Sequence, residues 1–249
     1  MQKIKYKTIE DNFNKFILNI EDYFFNKDNI TLFDKRNIIK VVKFNNKKYA
    51  VKSFKIPHNL NKIVYRFFRD SKAKRSYNNS IKLLELNINT PKPIGYIELN
   101  SLFLFKSSFY ISEFLNYNFE IRAVLNDLEF KDRENILKQF IDFTYQLHQK
   151  GIYHIDYSPG NILVQKDNLE YSFYLIDVNR MKFLDFDIDL RTKSISKLTT
   201  NIDDNNFIID YYSKISKIDK NIITKKFDFY LNKEKEYLKN KKRLKRVRG

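Results

Sequence analysis

The stretch that most narrows the folds open to this chain is His154-Ile155-Asp156-Tyr157-Ser158-Pro159-Gly160-Asn161. It follows a helix-patterned run, Lys131 to Lys150, which Gly151 closes as a C-terminal cap. It runs straight into a strand-patterned one, Asn161 to Gln165. The pattern is H-x-D-x-x-x-x-N. A carboxylate placed like Asp156 can orient an incoming hydroxyl and accept its proton. An amide oxygen five residues later, on Asn161, can ligate Mg²⁺ without adding charge. Pro159-Gly160 supplies the bend that returns Asn161 toward the carboxylate.

That is the pattern of a phosphoryl-transfer loop, and two further residues fit its needs. Asp177 follows the apolar run Phe173-Tyr174-Leu175-Ile176, where a second Mg²⁺ ligand belongs. Upstream, Tyr49-Ala50-Val51-Lys52-Ser53-Phe54 has the period of a strand, with Lys52 on the face of Ala50 and opposite Val51. A lysine on a half-buried central strand needs an anion, and α/β-phosphates would supply one. Ala50 leaves room for a flat base over the same face. Plainer readings stand beside each: His154 supporting its loop only, Asp177 as a helix cap or turn residue, Lys52 at a sheet edge in solvent.

Periodicity supplies the frame. Glu10 to Phe25 is expected to be one amphipathic helix. Ile38–Phe44 and Lys48–Phe54, joined at Asn45-Asn46, read as a hairpin. Residues 60–86 read as a helix stopped by Pro91 and Pro93. Three short strands follow at Ile94–Leu99, Leu102–Phe105 and Phe109–Glu113, and a second hairpin turns at Lys166-Asp167-Asn168 between Asn161–Gln165 and Phe173–Val178. The rest is helix-prone. The class is α+β: an antiparallel-sheet lobe with one main helix over residues 1–115, and a mostly helical lobe over 116–249. The absence of cysteine excludes disulfides and thiolate metal sites. Four glycines, at 95, 151, 160 and 249, cannot compose a Rossmann fingerprint or a Walker loop.

The formal net charge is +17, a field that favours anionic partners. Residues 225–249 hold eleven basic and three acidic residues, and Lys239–Arg248 holds seven basic ones and no acid. Phe227, Tyr230, Leu231, Tyr237, Leu238 and Leu244 recur there near helical spacing, so one face could pack on the protein or rest on an anionic membrane; a frayed, solvated tail is the alternative. Nucleic acid is disfavoured, since neither an RRM-type aromatic motif nor a KH loop occurs. Arg66, Arg69, Lys72, Lys74 and Arg75 read mainly as a solvated helix face. With no leader-like opening and no run of about 18 apolar residues, the expectation is a soluble, cytoplasmic protein, at most peripheral to a membrane. The oligomeric state is open.

Taken together, Lys52-Ser53-Phe54-Lys55-Ile56-Pro57, Ser71 to Tyr77, Asn89-Thr90-Pro91-Lys92-Pro93, Phe109 to Glu113, the 154–161 loop and Leu175 to Arg180 resemble the lipopolysaccharide core (Kdo/heptose) kinase family. The fold of that family is protein-kinase-like. The resemblance implies phosphorylation of a sugar hydroxyl on an anionic glycolipid, the lipid A–inner core, with ATP and Mg²⁺. It implies that Lys52 binds the α/β-phosphates, Asp156 is the catalytic base, and Asn161 and Asp177 hold Mg²⁺. The backbone near Glu113 would meet adenine. The chain departs from the kinase pattern in three places. The turn at 33–37, where a phosphate-covering loop should lie, has no glycine; either Lys35, Arg36 and backbone N–H groups substitute for it, or the loop is weakly engaged. The helix acid that usually pairs with the lysine is replaced by Ser76, Asn78 and Asn79, Glu85 being the first acid. Val178-Asn179-Arg180 follows Asp177 in place of Phe-Gly, and no Ala-Pro-Glu follows. Rival readings are another small-molecule or protein kinase of this fold, and a catalytically weak pseudokinase scaffold.

Overall fold

The computed structural model describes residues 3–35, 37–54, 70–100 and 105–247. The chain divides into two units: Met1–Asn116 with Tyr174–Arg180, and Tyr117–Phe173 with Met181–Gly249.

In the first unit, β1 (Lys3–Thr8), β2 (Ile30–Asp34), β3 (Asn37–Phe44), β4 (Lys47–Phe54), β5 (Pro93–Asn100) and β6 (Phe105–Glu113) form one antiparallel sheet, in the order β1-β5-β6-β4-β3-β2. The β3–β4 turn is the two-residue Asn45-Asn46 read from sequence. Both asparagines are left-handed, with φ of 46° and 60°, as the twist of a tight hairpin requires. The chain then uses the two faces of β4 differently. Tyr49 and Val51 point into a core with Val42, Ile97, Leu99, Phe109 and Ile111. Phe54, on the other face, joins Ala73, Tyr77, Tyr96 and Tyr110 under α3 (Lys72–Glu85). Ser71 caps α3, its side chain accepting from the Lys74 N–H at 3.1 Å, a contact worth about 1 kcal/mol.

The single helix expected over 10–25 is broken. A 3-10 turn at Asp11–Phe13 leads into α1 (Asn14–Leu18), and α2 (Ile20–Phe25) starts afresh. The break is Asn19, at φ −103° and ψ 24°, whose side chain donates back to the Lys15 carbonyl at 2.9 Å. An asparagine that bonds its own preceding turn competes with the helix. The apolar set is nevertheless used as the periodicity implied: Phe16, Ile17, Ile20 and Phe24 are all buried in the sheet core. β1 escaped the sequence reading. Its lysines alternate with Ile4 and Tyr6, which stay exposed at a sheet edge, so no buried face announces it. The expected strands at 94–99 and 109–113 lengthen into β5 and β6. Arg66, Arg69, Lys55–Pro57 and most of the Leu102–Phe105 strand lie outside the described residues.

The second unit holds β7 (Phe119–Glu120), α4 (Ile121–Asn126), α5 (Arg133–Gln149), β8 (Ile152–His154), β9 (Ile162–Asp167), β11 (Met181–Phe183), α6 (Ile188–Ile195), α7 (Ile202–Ser216) and α8 (Lys220–Val247). β10 (Glu170–Leu175) pairs with β9, and β9 with β7; β11 pairs with β8. The hairpin turn falls at Asn168-Leu169, later than expected, because Asn168 takes the left-handed position at φ 56°. One side of α5 is buried through Ile136, Leu137, Phe140, Ile141, Thr144 and Leu147. Gly151 ends it at φ 67°, where a side chain would be strained. α8 is ordered helix from Lys220, with Ile223, Phe227 and Leu231 buried. Lys226 and Tyr230 both reach Asp189 of α6, at 2.6 and 2.9 Å. The frayed-tail alternative therefore fails for the first half of this segment.

Candidate active site

Two pairs of the residues singled out above are brought together, one in each unit. In the first unit, Lys52 Nζ lies 2.7 Å from Asp177 Oδ1, across 125 residues of sequence. β4 places the lysine between its partners Ile39 on β3 and Tyr110 on β6, so it sits on a central strand. Its side chain is 13% exposed and that of Asp177 35%. The ion pair thus answers the sequence argument that a lysine here must meet an anion. Ala50 shares its face and is half-buried.

Asp177 does not end β10, which stops at Leu175. It stands two residues on, in left-handed backbone at φ 55°, a conformation that asparagine and aspartate tolerate best after glycine. Several bonds hold it there. Leu175 donates its N–H to the Asn89 carbonyl at 2.9 Å, and Thr90 Oγ1 donates to the Leu175 carbonyl at 2.8 Å. Asn79 Nδ2 donates to the Val178 carbonyl at 2.7 Å, and Asn179 Nδ2 to Asp177 Oδ1 at 2.5 Å. The segment 174–180 is therefore tied to α3 and its exit loop. The signals were in the departures: Asn79 occupies the stretch where a helix acid was sought, and Asn179 the place of a glycine. Neither residue was assigned a role from sequence.

In the second unit, Asn161 Nδ2 donates to the Asp156 backbone carbonyl at 2.9 Å. The loop between them closes on itself through Tyr157 N–H to His154 O at 3.1 Å and Asn161 N–H to Ser158 O at 2.9 Å. Tyr157 anchors it from beneath. Its hydroxyl meets Thr144 of α5 at 2.7 Å, and its burial pushes the phenol pKa up. His154 is buried, in keeping with a supporting role. Lys197, beyond α6, donates to the Ile155 carbonyl at 3.1 Å. No sequence pattern pointed to Lys197. Asp156 and Asn161 themselves are half-buried.

Glu113 closes β6. Its N–H donates to the Lys92 carbonyl at 2.9 Å, and the next N–H, of Phe114, to Lys48 O at 3.1 Å. Lys35 is exposed in the turn between β2 and β3; Arg36 lies outside the described residues. Among the described residues no cluster of three or more His, Cys, Asp or Glu gathers to hold a metal ion. A carboxylate such as Asp177 and an amide such as Asn161 suit Mg²⁺. That ion commonly takes one or two carboxylates and completes its shell with phosphate oxygens and water. No helix of the described residues is long and apolar enough to cross a membrane.

No curated protein sequence matches the chain. Among solved structures, one described as WaaP in complex with acyl carrier protein is similar over 92% of this chain and 98% of that one, with a TM-score of 0.64 and 13% identity. At that identity the likeness is one of fold, and the fold is protein-kinase-like. A co-crystal structure of WbdD with the kinase inhibitor LY294002 covers 80% of this chain and 44% of that one, at a TM-score of 0.47 and 16% identity. The sequence model of one family spans residues 30–208, from β2 into α7, and so takes in both residue pairs. The chain belongs to the lipopolysaccharide kinase (Kdo/WaaP) family.

Proposed function

We propose that this kinase-family protein transfers the γ-phosphoryl group of Mg-ATP to a sugar hydroxyl of the lipopolysaccharide inner core, a Kdo or heptose on lipid A, at the cytoplasmic side of the membrane. The observation that carries the reading is the Lys52–Asp177 pair. A cation on a central strand and a carboxylate in strained backbone are held together by a segment that returns to the first unit for this contact. Such an arrangement suits a lysine that passes to nucleotide phosphates and an aspartate that passes to their metal.

Bound Mg-ATP supplies the phosphoryl group and the metal charge that neutralises its oxygens. The remaining work belongs to side chains. Asp156 orients the acceptor hydroxyl and takes its proton. Asn161 and Asp177 hold Mg²⁺, and Lys52 neutralises phosphate charge as the transition state forms. Adenine would lie by Ala50 and the backbone around Glu113, with Lys35 and Arg36 beside the phosphates. The basic end of α8, within 225–249, would rest on anionic lipid. Acyl carrier protein, with which WaaP forms a complex, is a further partner to test.

The decisive variant is Asp156→Asn. Phosphate transfer to lipid A–core falls by roughly 10²–10⁴-fold, while the melting temperature stays near that of the parent. A variant as fast as the parent removes Asp156 from the mechanism. Absence of any thermal stabilisation of the parent by millimolar Mg-ATP favours the scaffold reading instead.

A further inference from the structure

Gly160 lies in the loop between Asp156 and Asn161, yet its backbone does not require glycine. The left-handed glycine among the described residues is Gly151. What a side chain at 160 would meet is the far end of a flexible arginine, which would have to shift. A Cβ there would run into the guanidinium of Arg122, which α4 lays directly over the loop. Arg122 is 59% exposed, and its ion pair with Glu120 is long, at 3.9 Å, beyond hydrogen-bond reach. The four residues between Asp156 and Asn161 (Tyr157, Ser158, Pro159 and Gly160) carry no charge. Lys197, the other cation at this loop, already donates to a backbone carbonyl. A planar fork of donors has been given room against the loop of the proposed base without a close carboxylate to satisfy it. Bidentate capture of a phosphate or carboxylate is the chemistry such a fork serves.

We infer that Arg122 is an anion anchor for the acceptor: it binds a phosphate or carboxylate oxyanion beside the hydroxyl that Asp156 handles. The inference rests on the proposed role of Asp156. Within that reading the nucleotide phosphates already have Lys52 and the metal, whereas an anionic acceptor meets at this loop the exposed fork of Arg122. Glycine at 160 is then a specificity feature, since any larger residue would push the anchor aside.

The test uses the full chain and lipid A bearing its Kdo core in detergent micelles. Three readouts are taken: equilibrium binding of the micelles without nucleotide, thermal stabilisation by Mg-ATP, and phosphate transfer. Arg122→Gln should weaken micelle binding roughly ten- to a hundredfold and leave the Mg-ATP stabilisation unchanged. Gly160→Ala, which displaces the guanidinium but keeps its charge, should weaken micelle binding in the same direction. The double variant should be no worse than Arg122→Gln alone, because both changes remove one interaction. Arg122→Lys, a fold control that keeps the charge and loses the fork, should recover only part of the binding.

Parent-like micelle binding by Arg122→Gln overturns the inference, as do additive losses in the double variant. A loss confined to Mg-ATP also overturns it, assigning the oxyanion to the nucleotide instead. A parent that binds the micelles through Arg122 but transfers no phosphate sinks the kinase reading and spares this one. Undiminished transfer and binding by Arg122→Gln do the reverse.

Discussion

A cation placed by strand periodicity on a central strand had to find an anion, and Asp177 supplies it at 2.7 Å. The need for an anion could be reasoned from Lys52 and its neighbours alone, but on sequence grounds α/β-phosphates meet that need and no side-chain partner is marked. What could not be read was how Asp177 is held. The left-handed turn and the asparagine on each side of the problem, Asn79 and Asn179, are tertiary facts without a local signature. His148 is a third residue of this kind. Its Nδ1 meets the Tyr212 hydroxyl at 2.7 Å, and Arg191 donates to that same hydroxyl at 3.3 Å. The His148 imidazole is itself buried. Burial first, and the nearby Arg191 second, push its pKa from 6.5 down to about 3. Folding thus favours neutral histidine. Above the unfolded value this stability is fully present. As pH falls from about 6.5 toward 3 the unfolded chain takes the proton and the folded chain does not, and stability drops by roughly 1.4 kcal/mol per unit. Urea midpoints at pH 7 and pH 5 should show the loss, and His148→Gln should flatten it. An equally steep loss in that variant would assign the effect to other groups.

At the scale of elements, the β3–β4 hairpin was legible because its asparagine pair tolerates left-handed backbone, and α5 was legible because its apolar residues recur on one side. The break at Asn19 was not, since a side chain bonding its own turn leaves the hydrophobic period intact. Nor was the contact that ties α5 to α7, where Arg133 pairs with Asp204, a carboxylate with only 2% of its surface exposed. The same guanidinium donates through Nε to the carbonyls of Val124 and Asp127, at 3.1 and 3.2 Å. Removing one partner strands the other charge in the interior. Arg133→Met should therefore lose about 3–5 kcal/mol in urea unfolding, whereas Arg133→Met with Asp204→Leu should recover most of it. Equal losses in the single and double variants would contradict this account of the pair.

For the whole molecule, composition told the sign of the field and not its use. A net charge of +17 could be scattered or gathered. The fold keeps the first half of α8 committed to α6 through Asp189, while the seven bases of Lys239–Arg248 follow along the same chain end. Each base near an anionic surface is worth about 1 kcal/mol. Binding of the full chain to vesicles containing anionic lipid should therefore be measurable at 0.1 M salt. It should collapse near 1 M, where the screening length falls from about 10 to 3 Å. Salt-independent binding would point to apolar insertion instead.

The return of residues 174–180 to the first unit bears on synthesis at the ribosome. When residue 116 has just been added, the sheet strands are all made but the counter-charge for Lys52 is still some sixty residues from being translated. The amino-terminal unit therefore reaches its final form only after all of α5 and the β9–β10 hairpin have been made. A gene cut at the 116/117 junction would yield a first product lacking one of its own parts.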